Sequence, residues 1–172
     1  MKLFDRLADR LIARAERTPY FHLPGYMDRW WLVPYRTDVG DGSGPVSWRR
    51  PIAKLLQLFD IAIRVHVIKR SDSDRAFHDH PWSYLTVILR GGYWEVTPVF
   101  DASGLYQGDR RVWHGPGSVL FRSAKSWHRL ELPQQATATT MFITGRWQQK
   151  WGFLPQPAAK VYYKDYEGWG QQ

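Results

Sequence analysis

The stretch Asp60–Arg70, "DIAIRVHVIKR", sets the period of the chain. Successive side chains of a strand point to opposite faces. Here Ile61, Ile63, Val65 and Val67 form one apolar face, and Ala62, Arg64, His66 and Ile68 form the other. Alternation sustained over this length predicts a strand and not a helix. The same character continues downstream. Ser83–Phe100, "SYLTVILRGGYWEVTPVF", is β-branched and aromatic, broken at Gly91 and Gly92 as a hairpin or bulge would break it. Val112–Leu132, "VWHGPGSVLFRSAKSWHRLEL", gives two strands around a short polar turn, and Thr137–Phe153, "TATTMFITGRWQQKWGF", gives another. Short strands separated by turns predict an antiparallel sandwich or barrel from about Ile61 to Phe153.

Upstream the period is different. In Lys2–Pro19, "KLFDRLADRLIARAERTP", the residues Leu3, Phe4, Leu7, Leu11, Ile12 and Ala15 recur at helical spacing, with acids and arginines on the opposite side and Pro19 as the stop. Such a helix packs on the outside of the domain or at a dimer contact; its interspersed acids argue against a membrane surface. Between Tyr20 and Pro51 the chain is rich in Gly, Pro and aromatics, with a short strand in "MDRWWLVPYR" and a loop over 36–51. The expected organisation is a helix over 1–19 packed on a single β-barrel domain over 20–172.

Composition narrows the functions. Ten tryptophans in 172 residues and 44% hydrophobic content exclude disorder. The absence of cysteine excludes a disulfide framework, thiolate ligands and a cysteine nucleophile. No apolar run is long enough for a membrane span, so a cytoplasmic location is expected. The net charge of +8 comes from dispersed arginines with no nucleic-acid-reading motif beside them. Dispersed charge fits a soluble basic surface or an anionic small-molecule site better than a DNA or RNA reader.

Against this β background stands Phe77–Tyr84, "FHDHPWSY". On a strand His78 and His80 face the same way, about 7 Å apart, and can converge on one ion if the strand curves. Pro81 cannot donate to a ladder and suits a strand edge. Alone the pair is weak evidence, because turn histidines explain most such spacings.

Further along, Gly117–Leu132, "GSVLFRSAKSWHRLEL", opens a strand on glycine, turns, and places His128 at the start of the returning strand. Together the two stretches resemble the cupin superfamily, over roughly Ile61–Gly145. Its first motif runs G(x)5HxH(x)3-4E(x)6G and its second G(x)5PxG(x)2H(x)3N. His78 and His80 match the first motif, with Gly91 or Gly92 near its end; Gly117 and His128 match the second. The resemblance implies an all-β fold, the cupin-type double-stranded β-helix or jelly-roll barrel. It also implies a divalent metal (Fe, Zn, Ni or Mn) on His78, His80 and His128. Tyr84 or Leu85 stands where the family carries a glutamate ligand, Ser123 and Lys125 replace the second motif's proline and glycine, and Leu132 replaces its asparagine.

Three imidazoles with an open position suit a catalytic zinc or a three-histidine iron centre. Because the ligands are neutral, the ion keeps its charge and favours an anionic ligand. His66 is either a fourth ligand, a hydrogen-bonding partner of the ligands, or a structural histidine. Tyr84 and Trp82 would line the mouth, with Arg64 and Arg122 as anion contacts; Trp94, Trp113, Trp127 and Trp147 are candidates for a hydrophobic wall. Glu95 reaches the site only if the Gly91–Gly92 break folds it back. His22 and His114 read as structural. Three functions follow: a metal-dependent cupin enzyme of the dioxygenase, isomerase, lyase or hydrolase type, a non-catalytic metal or small-molecule binding module, or a basic structural or nucleic-acid-associated protein. A homodimer is compatible with each.

Overall fold

The alternation of Asp60–Arg70 becomes the second strand of a mostly β molecule, seen in a computed structural model that describes residues 2–33, 49–72, 76–155 and 160–165. In chain order the elements are α1 (Lys2–Ala15), β1 (Met27–Val33), α2 (Arg49–Leu58), β2 (Ala62–Ile68), β3 (Phe77–His78), β4 (Trp82–Gly91) and β5 (Tyr93–Phe100). They continue with β6 (Tyr106–His114), β7 (Val119–Arg122), β8 (Arg129–Glu131), β9 (Ala138–Trp147), β10 (Gly152–Leu154), β11 (Val161–Tyr162) and a 3-10 turn at Tyr163–Asp165. Five strands form one sheet in the order β1-β2-β9-β4-β7, and two three-stranded sheets run β6-β5-β8 and β11-β10-β3. Among the described residues every strand pair is antiparallel. Ile68, Ile88, Leu120 and Ala138 of the large sheet pack against Tyr93 and Leu130 of the β6-β5-β8 sheet, and this shared core closes the jelly-roll barrel.

The helix decides which face of β2 turns inward. Leu11, Ile12 and Ala15 of α1 pack on Leu32, Ile63, Val65 and Met141, the outer side of the large sheet. Ala8 and Ala15 are fully buried there, whereas Leu3 and Leu7 remain exposed. With Ile63 and Val65 taken by the helix, Ala62, Arg64, His66 and Ile68 must face the barrel interior. Cross-strand register then sets their neighbours: Arg64 lies opposite Phe142, which lies opposite Thr86, and Ala62, Thr144, Tyr84 and Arg122 form the adjacent row.

Two local expectations are corrected. The loop expected over 36–51 lies outside the described residues up to 48, and its last three positions open α2, a helix that the sequence reading passed over. Pro51 fits there because the first turn of a helix needs no N–H from it. The Gly91–Gly92 break is not a hairpin, because β4 pairs with β7 and β9 while β5 pairs with β6 and β8. It is a corner that carries the chain from one sheet to another. Gly91 has φ 65° and a Cβ there would meet the Thr137 carbonyl oxygen at 2.0 Å, so only glycine turns it.

Between the two motif histidines, Asp79 points the other way and anchors the C-terminal strands. It is 1% exposed and accepts hydrogen bonds from Gly152 N–H at 2.8 Å, Gln149 Nε2 at 2.9 Å and Lys160 Nζ at 2.5 Å. Asp79→Ala leaves these donors without their acceptor and is expected to cost about 3 kcal/mol. Urea denaturation measures it; a loss below about 1 kcal/mol would show that β10 is held by its pairing with β3 alone.

Candidate metal centre

The centre begins with a backbone contact. His78 N–H donates to His128 O at 2.9 Å and His128 N–H donates to His78 O at 3.1 Å, an isolated antiparallel bridge. On its other side β3 pairs with β10, His78 opposite Phe153. Two histidines fifty residues apart are therefore fixed side by side. His80 follows Asp79 on the same side as His78, and Pro81 ends the ladder just beyond. The three rings lie 4.7–5.2 Å apart between centroids, and one ring nitrogen from each falls within 4.8 Å of the others. His80 Nε2 and His128 Nε2 are 3.0 Å apart.

These donors fit an ion. Two nitrogens each about 2.0–2.1 Å from a common ion lie about 3–4 Å apart, so a small inward turn of the rings completes the set. Burial first, then the neighbouring His78 and His128, holds the His80 imidazole well below its usual pKa and therefore neutral at pH 7. A neutral imidazole is the form that binds a metal.

Glu95 is the member that sequence reasoning underrated. The Gly91–Gly92 corner brings β5 beside β8, with Glu95 opposite Leu130, and folds the carboxylate onto His128: Oε1 lies 3.2 Å from His128 Nδ1. Its remaining capacity goes to Arg122, which donates from Nε at 2.8 Å and from a second nitrogen, and to His114 Nε2 at 3.0 Å. Burial alone would raise the Glu95 pKa, but hydrogen bonds from His128 and Arg122 outweigh it and hold the carboxyl well below its usual range. A carboxylate at Nδ1 fixes the proton there and leaves His128 Nε2 as the free donor pair. A lone glutamate in the apolar run "YWEVTPV" was the available signal.

Tyr84 stands in the glutamate slot of the first motif, and its hydroxyl reaches His128 Nε2 at 3.2 Å. Burial first, then Glu95, raises its pKa well above the ordinary value, so the phenol stays protonated. The cluster opens into a cavity of about 410 Å³, walled among others by Tyr84, Trp82, Trp147, Phe142, Arg64 and His66. Two expected positions differ. Arg122 does not line the cavity, because Glu95 engages its guanidinium. His66 does not join the ligand nitrogens; its ring packs on Phe142 at 4.9 Å, and Nε2 is buried without a hydrogen-bond partner among the described residues. Of the four tryptophans expected as a wall only Trp147 contributes, since Trp94 and Trp113 pack on each other and Trp127 lies near Lys160.

Among solved structures, similar folds occur in vicilins. The vicilin of Solanum melongena superposes with a TM-score of 0.54 at 12% identity, over 83% of this chain and 35% of that one. The vicilin of Corylus avellana gives 0.51 at 13%, over 74% and 30%, and that of Capsicum annuum 0.51 at 12%, over 82% and 34%. The chain spans about a third of the length of these proteins. No protein-family model matches the sequence, and no curated protein does. The structure is an antiparallel jelly roll with an N-terminal helix, a fold it shares with these vicilins. At these identities the likeness carries the fold alone. What the barrel itself adds is a set of three histidine nitrogens placed so that they could hold one metal ion. Among the described residues no helix is long and apolar enough to cross a membrane.

His66 yields a pH prediction. Burial first, then Arg64 and Arg29, pushes its pKa well below 6.5. Below about pH 6.5 the unfolded chain therefore binds a proton that the folded chain refuses, and stability falls with pH by up to about 1.4 kcal/mol per unit from this group. Urea denaturation at about pH 7.5 and about pH 5.5 should show a smaller drop for His66→Leu than for the wild type. Equal drops would mean that His66 takes up its proton in the folded state.

Proposed function

We propose that the chain is a metal-dependent cupin enzyme in which His78, His80 and His128 hold a divalent ion and the adjoining cavity receives a small anionic or polar molecule. The observation that carries this reading is the convergence of three buried or half-buried imidazoles, with nitrogens within 4.8 Å, on the wall of a cavity large enough for a small organic ligand. A bound iron, zinc, nickel or manganese ion would supply Lewis acidity or, for iron, redox chemistry suited to a dioxygenase. The chain's own residues do the rest. Glu95 orients His128 through Nδ1, and Arg122 keeps Glu95 ionised. Tyr84 presents a protonated hydroxyl at the cluster, able to donate to an oxygen of a ligand bound there. Phe142, Trp82 and Trp147 give the cavity an aromatic wall.

A non-catalytic binding module is the second reading. It is favoured by Tyr84 in place of the motif's carboxylate, which leaves no acidic ligand in the cluster among the described residues.

Elemental analysis of untagged protein purified without chelator tests the centre. Near-stoichiometric metal is expected in the wild type, with loss in His78→Ala and His128→Ala variants whose circular dichroism is unchanged. A wild type that takes up none of the four metals would overturn the reading. Glu95→Gln keeps the shape of the side chain but removes the charge at Nδ1, and is expected to weaken metal affinity about 10–100-fold in competition with a chromophoric chelator. Undiminished affinity would limit Glu95 to a structural role.

A further inference from the structure

On the wall formed by β2, the cavity holds a buried cation that no acid answers. Arg64 is 9% exposed and lines the cavity. Its guanidinium carbon sits 4.8 Å from the Trp31 ring, 5.2 Å from Tyr20 and 5.4 Å from Trp82. Among the described residues its Nε is buried without a hydrogen-bond partner, and no carboxylate pairs with it. Burial first lowers its pKa, to about 10, which still leaves the group charged at neutral pH. Rings facing a guanidinium recover part of its lost hydration. They leave its in-plane N–H donors unsatisfied, and those donors match a carboxylate in a two-pronged contact.

The neighbours extend the pattern. Arg29 lines the same cavity and adds positive charge, but its Nε already donates to the Phe21 carbonyl at 2.7 Å. His66, two residues from Arg64 on the same face of β2, brings a second buried and unpartnered nitrogen. From there Phe142 bridges the distance to the histidines, with ring centroids 4.9 Å from His66, 4.8 Å from Tyr84 and 6.0 Å from His80. Arg64 and Thr86 are aligned across Phe142 of β9, two strand spacings or about 10 Å apart, which sets Phe142 between the Arg64 wall and the side of the cavity that carries Tyr84 and His80.

We infer that the ligand of this cavity is an organic monocarboxylate with an apolar, aromatic or branched body, its carboxylate held by Arg64, its body over Phe142 and its other end toward His78, His80 and His128. The placement of that far end rests on the metal-centre reading; the Arg64 end stands without it. A phosphate monoester fits less well. Its second negative charge would enter a wall of Tyr20, Trp82 and Phe142, where the other lining guanidinium, Arg29, already donates its Nε to the Phe21 carbonyl.

Tryptophan fluorescence offers the test, since Trp31 and Trp82 both touch Arg64. The probes are 3-phenylpropanoate, its neutral amide and phenylphosphonate, titrated into metal-loaded wild type, Arg64→Lys and Arg64→Met, with unfolding midpoints measured for each protein. The carboxylate is expected to saturate the wild-type signal and to bind at least about tenfold more tightly than the amide. Arg64→Met should lose that preference, Arg64→Lys should retain part of it, and both should keep wild-type metal content. The amide comparison needs no variant, so it decides even if Arg64→Met fails to fold. Equal binding of acid and amide, tighter binding of the phosphonate, or no saturable binding of any probe would overturn the inference. A carboxylate preference that survives in His78→Ala is expected of the Arg64 site, whereas a carboxylate affinity undiminished in His78→Ala would count against the placement of the far end alone.

Discussion

The reciprocal hydrogen bonds between His78 and His128 are the contact on which the centre depends. Closing a loop of fifty residues for one bridge is unfavourable on its own. It is sustained because the two-residue strand containing His78 is also paired with Phe153 and because Asp79, on the opposite side, binds Gly152, Gln149 and Lys160. Three remote parts of the chain therefore meet at one point. The alternation of the strand does the remaining work, since an acid that points out between two histidines that point in lets one short segment serve as anchor and ligand pair together.

A second constraint comes from α1. Either face of "DIAIRVHVIKR" could have been the inner one, and the more apolar face is the natural candidate for a core. The helix covers that face from outside, and the polar face is turned into the barrel. Arg64 and His66 are buried as a consequence of what packs behind them. Ile63 and Val65 gain their burial against Leu11, Ile12 and Ala15, so the interior is left with groups that have a function to find.

Much of this was legible in the sequence, and the limits are physical. Period-two alternation is a local signal, so the strands and the antiparallel barrel could be read from it, and the "HDH" spacing with a third histidine after a turn identified the cluster. The face of β2 could not be read, because a period of two is symmetric under exchange of faces and only the distant α1 breaks the symmetry. Glu95 was passed over for a related reason. Its approach to His128 depends on the pairing of β5 with β8, a register that no short stretch encodes. The same long-range pairing commits Arg122 to Glu95 and keeps it out of the cavity lining. The missed α2 is different, because Ile52, Leu55 and Leu56 have helical spacing and the surrounding Gly and Pro residues obscured it.

Charge balance ties these parts together. Among the described residues the groups near the cluster bring little free negative charge: Tyr84 stays protonated, Glu95 is answered by Arg122 and His114, Asp79 by Lys160, and Asp72 accepts from Tyr26 and Leu130 N–H. Three neutral imidazoles would leave a divalent ion with its whole charge, and Arg64 adds another on the wall beyond Phe142. In a cavity with mostly aromatic walls such charge is poorly screened and its field reaches across the space. Arg64 thus sits in a largely aromatic interior with no carboxylate partner among the described residues, and this is the feature that supports an anionic ligand in the proposed reading.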